Sequence, residues 1–117
     1  MEVTLDELLA RREDVTLLDV RSEAEYTGRR GYPCDPRQGH IPGARHVDVQ
    51  QIVESSPAEL RALIGLPEEA EIVCYCHSGS RSATAATALR AAGYDASNYA
   101  GSWHEWSRRD DLPAEQS

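Results

Sequence analysis

Two short apolar runs constrain the fold more than anything else in the chain. Residues 15–20 (VTLLDV) and Glu71–Tyr75 (EIVCY) have the length and continuity of strands covered on both faces. Each passes quickly into a helix. After the first, Ser22 and Glu25 have the spacing of a capping box. After the second, residues 76–81 form a small-residue loop, and the alanine-rich segment 82–92 is helical until Gly93 stops it. Thr4 with Glu7 is another capping box, opening a helix to about Arg12. Residues 57–64 read as a helix with proline at its first turn. Residues 44–47 and 97–99 read as short strands. A turn at Ala100-Gly101 precedes a helix carrying Trp103 and Trp106. Residues 28–42, dense in Gly, Pro and Arg, read as a long irregular loop. Strands alternating with helices predict an α/β fold, a mostly parallel sheet with helices on both faces. Function in such sheets collects at the carboxyl ends of strands, where residues 76–81 fall.

At 117 residues the chain has the size of one domain. The expected division is a domain over 1–110 and a flexible tail over 111–117. Hydrophobic and charged fractions of 40% and 27% are ordinary globular values and exclude wholesale disorder. The 12 cations, all arginine, face 20 carboxylates for a net charge of −8, which argues against a nucleic-acid partner. No apolar run approaches the ~20 residues of a membrane helix, so no membrane role is expected. The first residues are acidic and amphipathic, unlike a secretory leader. Three cysteines form no disulfide framework and suit a reducing, cytoplasmic setting. Nor do they suggest metal. Cys74 and Cys76 are separated by one residue, and no cysteine pair has zinc-ligand spacing.

Cys76 carries the chemistry. It leaves a strand into Ser78, Gly79 and Ser80, small residues whose backbone N–H groups can turn inward as a nest for an anion. The following helix adds the partial positive charge of its N-terminus. Both favour the thiolate. The candidate anion-binding residues are His77, Ser78, Gly79, Ser80 and Arg81, the last a permanent cation. The residues alone leave a second possibility open, a thiol merely buried at a strand end. Cys74, two positions earlier with no loop after it, reads as core.

Four strings in order carry a family resemblance: LLDVR at 17–21, GHIPGA at 39–44, CHSGSRS at 76–82 and GSWHEWS at 101–107, with ALRAAGY at 88–94 in support. Together they resemble rhodanese-family sulfurtransferases, in particular the catalytic half of two-domain thiosulfate and 3-mercaptopyruvate sulfurtransferases. The resemblance spans nearly the whole chain and implies a rhodanese-like domain needing no cofactor. It implies that Cys76 takes sulfur from a small-molecule donor such as thiosulfate or 3-mercaptopyruvate. The persulfide so formed would pass sulfur to cyanide, a thiol or a partner protein. Related phosphatases and arsenate reductases carry arginine six positions after the cysteine; here Arg81 comes five after Cys76, which favours sulfur over phosphate. His77-Ser78 matches neither the basic pair of thiosulfate-preferring loops nor the Gly-Ser of mercaptopyruvate-preferring ones. The alternatives are a non-catalytic or relay sulfur-carrier module and, less favoured, a phosphatase or arsenate reductase.

Other residues read mainly as scaffold. Asp19 is expected to brace a loop, Arg21 to pair with it, and His40 to fasten the GHIPGA turn. Trp103 and Trp106 share a helical face and read as packing, with Trp103 a second-choice wall for the site. Arg29, Arg30 and Arg37 are candidates to offset the acidic charge near an anionic donor. Cys34 is either incidental or a resolving thiol for Cys76. Residues 108–111 read as a solvated helix end.

Overall fold

The computed structural model describes residues 1–116; Ser117, the last residue of the expected tail, lies outside the described residues. Five strands form one sheet: β1 (Glu2–Val3), β2 (Thr16–Asp19), β3 (Arg45–His46), β4 (Glu71–Tyr75) and β5 (Asp95–Tyr99). Their order is β1-β5-β4-β2-β3 and every pairing is parallel. The sequence suggests the strands at 44–47 and 97–99 but not β1, whose two residues carry no local signal and are fixed by pairing with β5.

Six helices cover the sheet: α1 (Leu5–Arg11), α2 (Glu23–Thr27), α3 (Val49–Glu54), α4 (Pro57–Ile64), α5 (Ser80–Ala91) and α6 (Ser102–Trp106). The capping boxes at Thr4 and Ser22 form, each hydroxyl accepting from the backbone three residues on. The two-sided burial inferred from the apolar runs is visible in their alternation. Leu18, Ile72 and Cys74 face Ile52 of α3, Leu60 of α4 and Leu89 of α5. Leu17, Val73 and Tyr75 face Leu8 of α1 and Trp103 and Trp106 of α6. Cys74 is core as expected; burial pushes its thiol up to about 12. Trp103 is wholly buried and its Nε1 donates to the Arg37 carbonyl, so it packs the core and walls no site.

The segment expected to be a flexible tail is docked as far as it is described. Leu112 is buried, Trp106 Nε1 donates to the Pro113 carbonyl at 2.8 Å, and His40 and Glu115 exchange backbone hydrogen bonds. Arg37 completes the attachment by donating to the carbonyls of Trp106, Ser107, Arg109 and Leu112. Its guanidinium is therefore spent on the C-terminal segment and is no counter-charge for a donor. Polar composition misleads here because the attachment is through backbone groups. Among the described residues no helix is long and apolar enough to cross a membrane.

Candidate active site

Parallel strands bring their carboxyl ends to one edge, and Cys76 stands there directly after β4. Its loop is held from below by the start of α6. The Cys76 N–H donates to Ser102 Oγ at 3.0 Å, while the Trp103 and His104 N–H groups donate to the carbonyls of Cys76 and His77 at 2.9 Å each. With those carbonyls engaged beneath, the following N–H groups are free to point into the loop. Ser102 holds a left-handed φ of 56°, a conformation costing a non-glycine residue about 1 kcal/mol or more. Its hydroxyl also donates to the Tyr99 carbonyl, so the strained residue links strand end, helix start and nucleophile.

Two N–H donors and one hydroxyl converge on the Cys76 sulfur. Gly79 N–H lies 3.1 Å from Sγ, Ser82 N–H 3.4 Å, and Ser82 Oγ 3.2 Å. Burial would raise the thiol pKa, yet the Ser82 hydroxyl and the N–H groups of Ser82, Gly79 and Ser78 outweigh it and lower the value. The buried-thiol alternative is thus only half right: Cys76 is 1% exposed, but its surroundings suit an anion. Gly79 makes the turn with φ 100°, and a Cβ there would fall 2.7 Å from the Ala100 carbonyl oxygen. It also starts α5 two residues earlier than the sequence suggests, placing Ser80 and Arg81 in the first helical turn.

The remaining candidates divide. Ser78 and Ser80 are exposed. Arg81 sits beside the loop but its guanidinium pairs with Glu25 at 2.9 and 3.1 Å. Glu25 is half-buried; burial would raise its pKa, and the Arg81 ion pair with the Ser22 cap brings it down to about 2. The His77 ring does not join the sulfur's hydrogen-bond donors. It stacks on Tyr32 at 3.6 Å and lies against Asp35. Next to the Glu25–Arg81 pair is a cavity of about 280 Å³ lined by Ser22, Glu25, Arg30, Gly31, Tyr32 and Pro33. Of the three arginines considered as counter-charges, Arg30 lines this cavity, while Arg29 pairs with the exposed Glu23.

The scaffold expectations hold. Asp19 and Arg21 form a buried pair at 2.7 Å, and Arg21 donates on to the Gly39 carbonyl. His40 Nδ1 is 2.8 Å from the Tyr26 carbonyl. The run at 108–111 is not merely solvated: Arg108 donates to the buried Asp35 at 2.9 Å. Sequence reasoning missed Glu25, Asp35, Asn98 and Ser102. Asn98 accepts from Ser82 Oγ at 2.6 Å and donates to the Gly79 carbonyl. Glu25 was visible as a capping-box residue, but its second partner lies 56 positions away.

This arrangement, a strand-end cysteine in a donor-lined loop opening a helix, agrees with the comparisons. The chain belongs to the rhodanese-like domain family, whose model matches residues 4–109. It is 37% identical over 113 residues to the sulfur carrier protein TtuD of Thermus thermophilus, covering 83% of this chain and 40% of that one. A crystal structure described as a probable thiosulfate sulfurtransferase is 44% identical, with a TM-score of 0.84 and coverage of 97% of this chain and 46% of that one. A third relative, EanB, solved with a cysteine persulfide and ergothioneine, is 27% identical with a TM-score of 0.85; 99% of this chain and 28% of that one are covered. The chain spans less than half the length of each.

Proposed function

We propose that this domain is a sulfurtransferase working through a persulfide on Cys76. The observation that carries this is the convergence of Gly79 N–H, Ser82 N–H and Ser82 Oγ on a sulfur atom whose pKa they lower. With thiosulfate, the thiolate attacks the outer sulfur. The new S–S bond forms as the donor's S–S bond breaks, and sulfite leaves with the electron pair. The product is anionic, and the backbone donors of the loop from His77 to Arg81, together with Ser82, stabilise it without a metal or a general base. An acceptor thiolate or cyanide then attacks the outer sulfur and Cys76 leaves as thiolate, so no external oxidant or reductant is needed. 3-Mercaptopyruvate enters the same cycle as an alternative donor: its C–S bond breaks as the S–S bond forms, and the enolate that leaves takes a proton from water to become pyruvate.

The cavity lined by Glu25 and Arg30, next to the Glu25–Arg81 pair, is taken as the place where the donor first docks. An anionic donor there competes with Glu25 for the Arg81 guanidinium, with Arg30 on the cavity wall adding a second positive charge. The test is steady-state formation of thiocyanate from thiosulfate and cyanide. Parallel double-reciprocal lines are expected, together with complete loss in Cys76→Ser. Turnover that survives Cys76→Ser would rule the cysteine out as sulfur carrier. A relay role, in which the acceptor is a partner protein, is the second reading, favoured by the 37% identity to a protein named as a sulfur carrier. It predicts fast persulfide formation but slow release to small acceptors.

A further inference from the structure

Beside the cysteine loop four metal-ligating side chains meet. Cys34 Sγ, a carboxylate oxygen of Asp35, and a ring nitrogen each of His77 and His104 all lie within 4.8 Å of one another. The ligands of this group come from three separate segments of chain, so no spacing between cysteines reveals it. We propose that Cys34, Asp35, His77 and His104 form a binding site for a transition-metal dication of the zinc class.

The chemistry of the set fits. One thiolate, one carboxylate and two neutral imidazoles balance a dication's charge and match the S, N and O preferences of zinc. In a tetrahedral zinc site, bonds of ~2.0–2.3 Å place neighbouring ligand atoms roughly 3.3–3.8 Å apart. Asp35 Oδ2 is 3.0 Å from His77 Nε2, His104 Nδ1 is 3.8 Å from Asp35 Oδ1, and Cys34 Sγ is 3.9 Å from the same oxygen. With all four ligand atoms within 4.8 Å of one another, shifts of about an ångström bring them to that spacing.

A second observation points to a ligand. The Asp35 side chain is 1% exposed and its Oδ2 faces His77 Nε2 at 3.0 Å, yet that oxygen makes no aligned hydrogen bond among the described residues. A buried carboxylate oxygen without an aligned hydrogen bond is costly, and a cation held between Oδ2 and the His77 ring nitrogen removes that cost. Arg108 holds Oδ1 at 2.9 Å and so leaves Oδ2 to the cluster. Its positive charge opposes a dication, but the guanidinium is more than a third exposed and screened by solvent. The two histidines are set in advance. Tyr32 stacks on the His77 ring at 3.6 Å, the His104 ring meets it edge-on at 5.5 Å, and the His104 N–H donates to the His77 carbonyl.

The test uses the reduced chain titrated with Co²⁺, then Zn²⁺ in competition, read by visible absorption and by metal content after dialysis. One equivalent is expected, with the intense ligand-field bands and thiolate charge-transfer band of tetrahedral Co²⁺, and the same in Cys76→Ser. Cys34→Ser and His104→Ala alter exposed residues and leave the fold intact. Each is expected to weaken binding by at least the roughly 10–100-fold that loss of even an outer-sphere partner costs. The proposal is overturned if the wild type holds no equivalent. It is equally overturned if binding disappears with Cys76→Ser, or survives unchanged in both Cys34→Ser and His104→Ala.

Discussion

The hydroxyl of Ser82 stands 3.2 Å from the sulfur of Cys76, with its other side donating to Asn98 Oδ1 at 2.6 Å. One hydroxyl proton therefore has two acceptors. When Cys76 is a thiol, its S–H donates to Ser82 and Ser82 donates to Asn98. When the thiolate forms, the Ser82 proton turns to sulfur. A hydrogen bond to a charged group contributes about 1.5–3 kcal/mol, equivalent to roughly one to two pKa units. Ser82→Ala is expected to raise the Cys76 pKa by about that much. It should slow alkylation at neutral pH while leaving the rate at high pH near wild type. The pH profile of iodoacetamide labelling, in a Cys34→Ser background, reads this directly, and an unmoved profile would remove Ser82 from the account.

Glu25 and Arg81 give a prediction with a definite pH window. Glu25 has a folded pKa of about 2, below the ~4.3 of an unperturbed glutamate. The unfolded state thus takes up its proton first as pH falls. The stabilisation is complete above about pH 4.3 and disappears as pH falls through 2. After discounting for the partial exposure of Arg81, it is worth about 1–2 kcal/mol. Urea unfolding of Glu25→Gln is expected to show that deficit at pH 7 and a shrinking one towards pH 2. A pH-independent deficit would mean that the carboxylate acts through packing alone.

Ser102 separates strain from hydrogen bonding. Ser102→Ala keeps the left-handed backbone and leaves the buried Cys76 N–H without its partner, so a loss of about 1–3 kcal/mol is expected. Ser102→Gly loses the same partner but relieves φ, and should recover about 1 kcal/mol of that loss. Chemical denaturation of the two variants measures the difference. Equal stabilities would show that the backbone there stores no strain.

Gly79 meets two demands at once, a φ of 100° and a close approach to Ala100. Gly79→Ala cannot satisfy both without moving the loop. Persulfide formation is expected to fall at least about 100-fold, the scale of losing one preorganised donor. Single-turnover rates with thiosulfate measure it, and a near-wild-type rate would show that the Gly79 N–H is dispensable.

What the sequence disclosed was local. The capping boxes at Thr4 and Ser22, the buried strands around Leu18 and Val73, and the cysteine loop are each written within a few consecutive residues. Four motifs in register then revealed the family. What it concealed depends on contacts across the chain. Ser102 reaches Cys76 from 26 positions away and Asn98 reaches Ser82 from 16. Helix α3 carries no sequence signal because only Ile52 of its six residues is buried, leaving no apolar periodicity to detect. Asp35 sits in a loop whose composition suggests exposure, and only the fold carries it beneath His77 and Arg108.

The central claim is a sulfur atom carried on Cys76, and intact mass tests it most directly. The reduced protein is exposed separately to thiosulfate and to 3-mercaptopyruvate, with Cys76→Ser alongside. The account predicts a gain of one sulfur on the wild type with at least one donor and none on the variant, the better donor identifying the substrate class. An unchanged wild-type mass with both donors, or the same gain on Cys76→Ser, would contradict it.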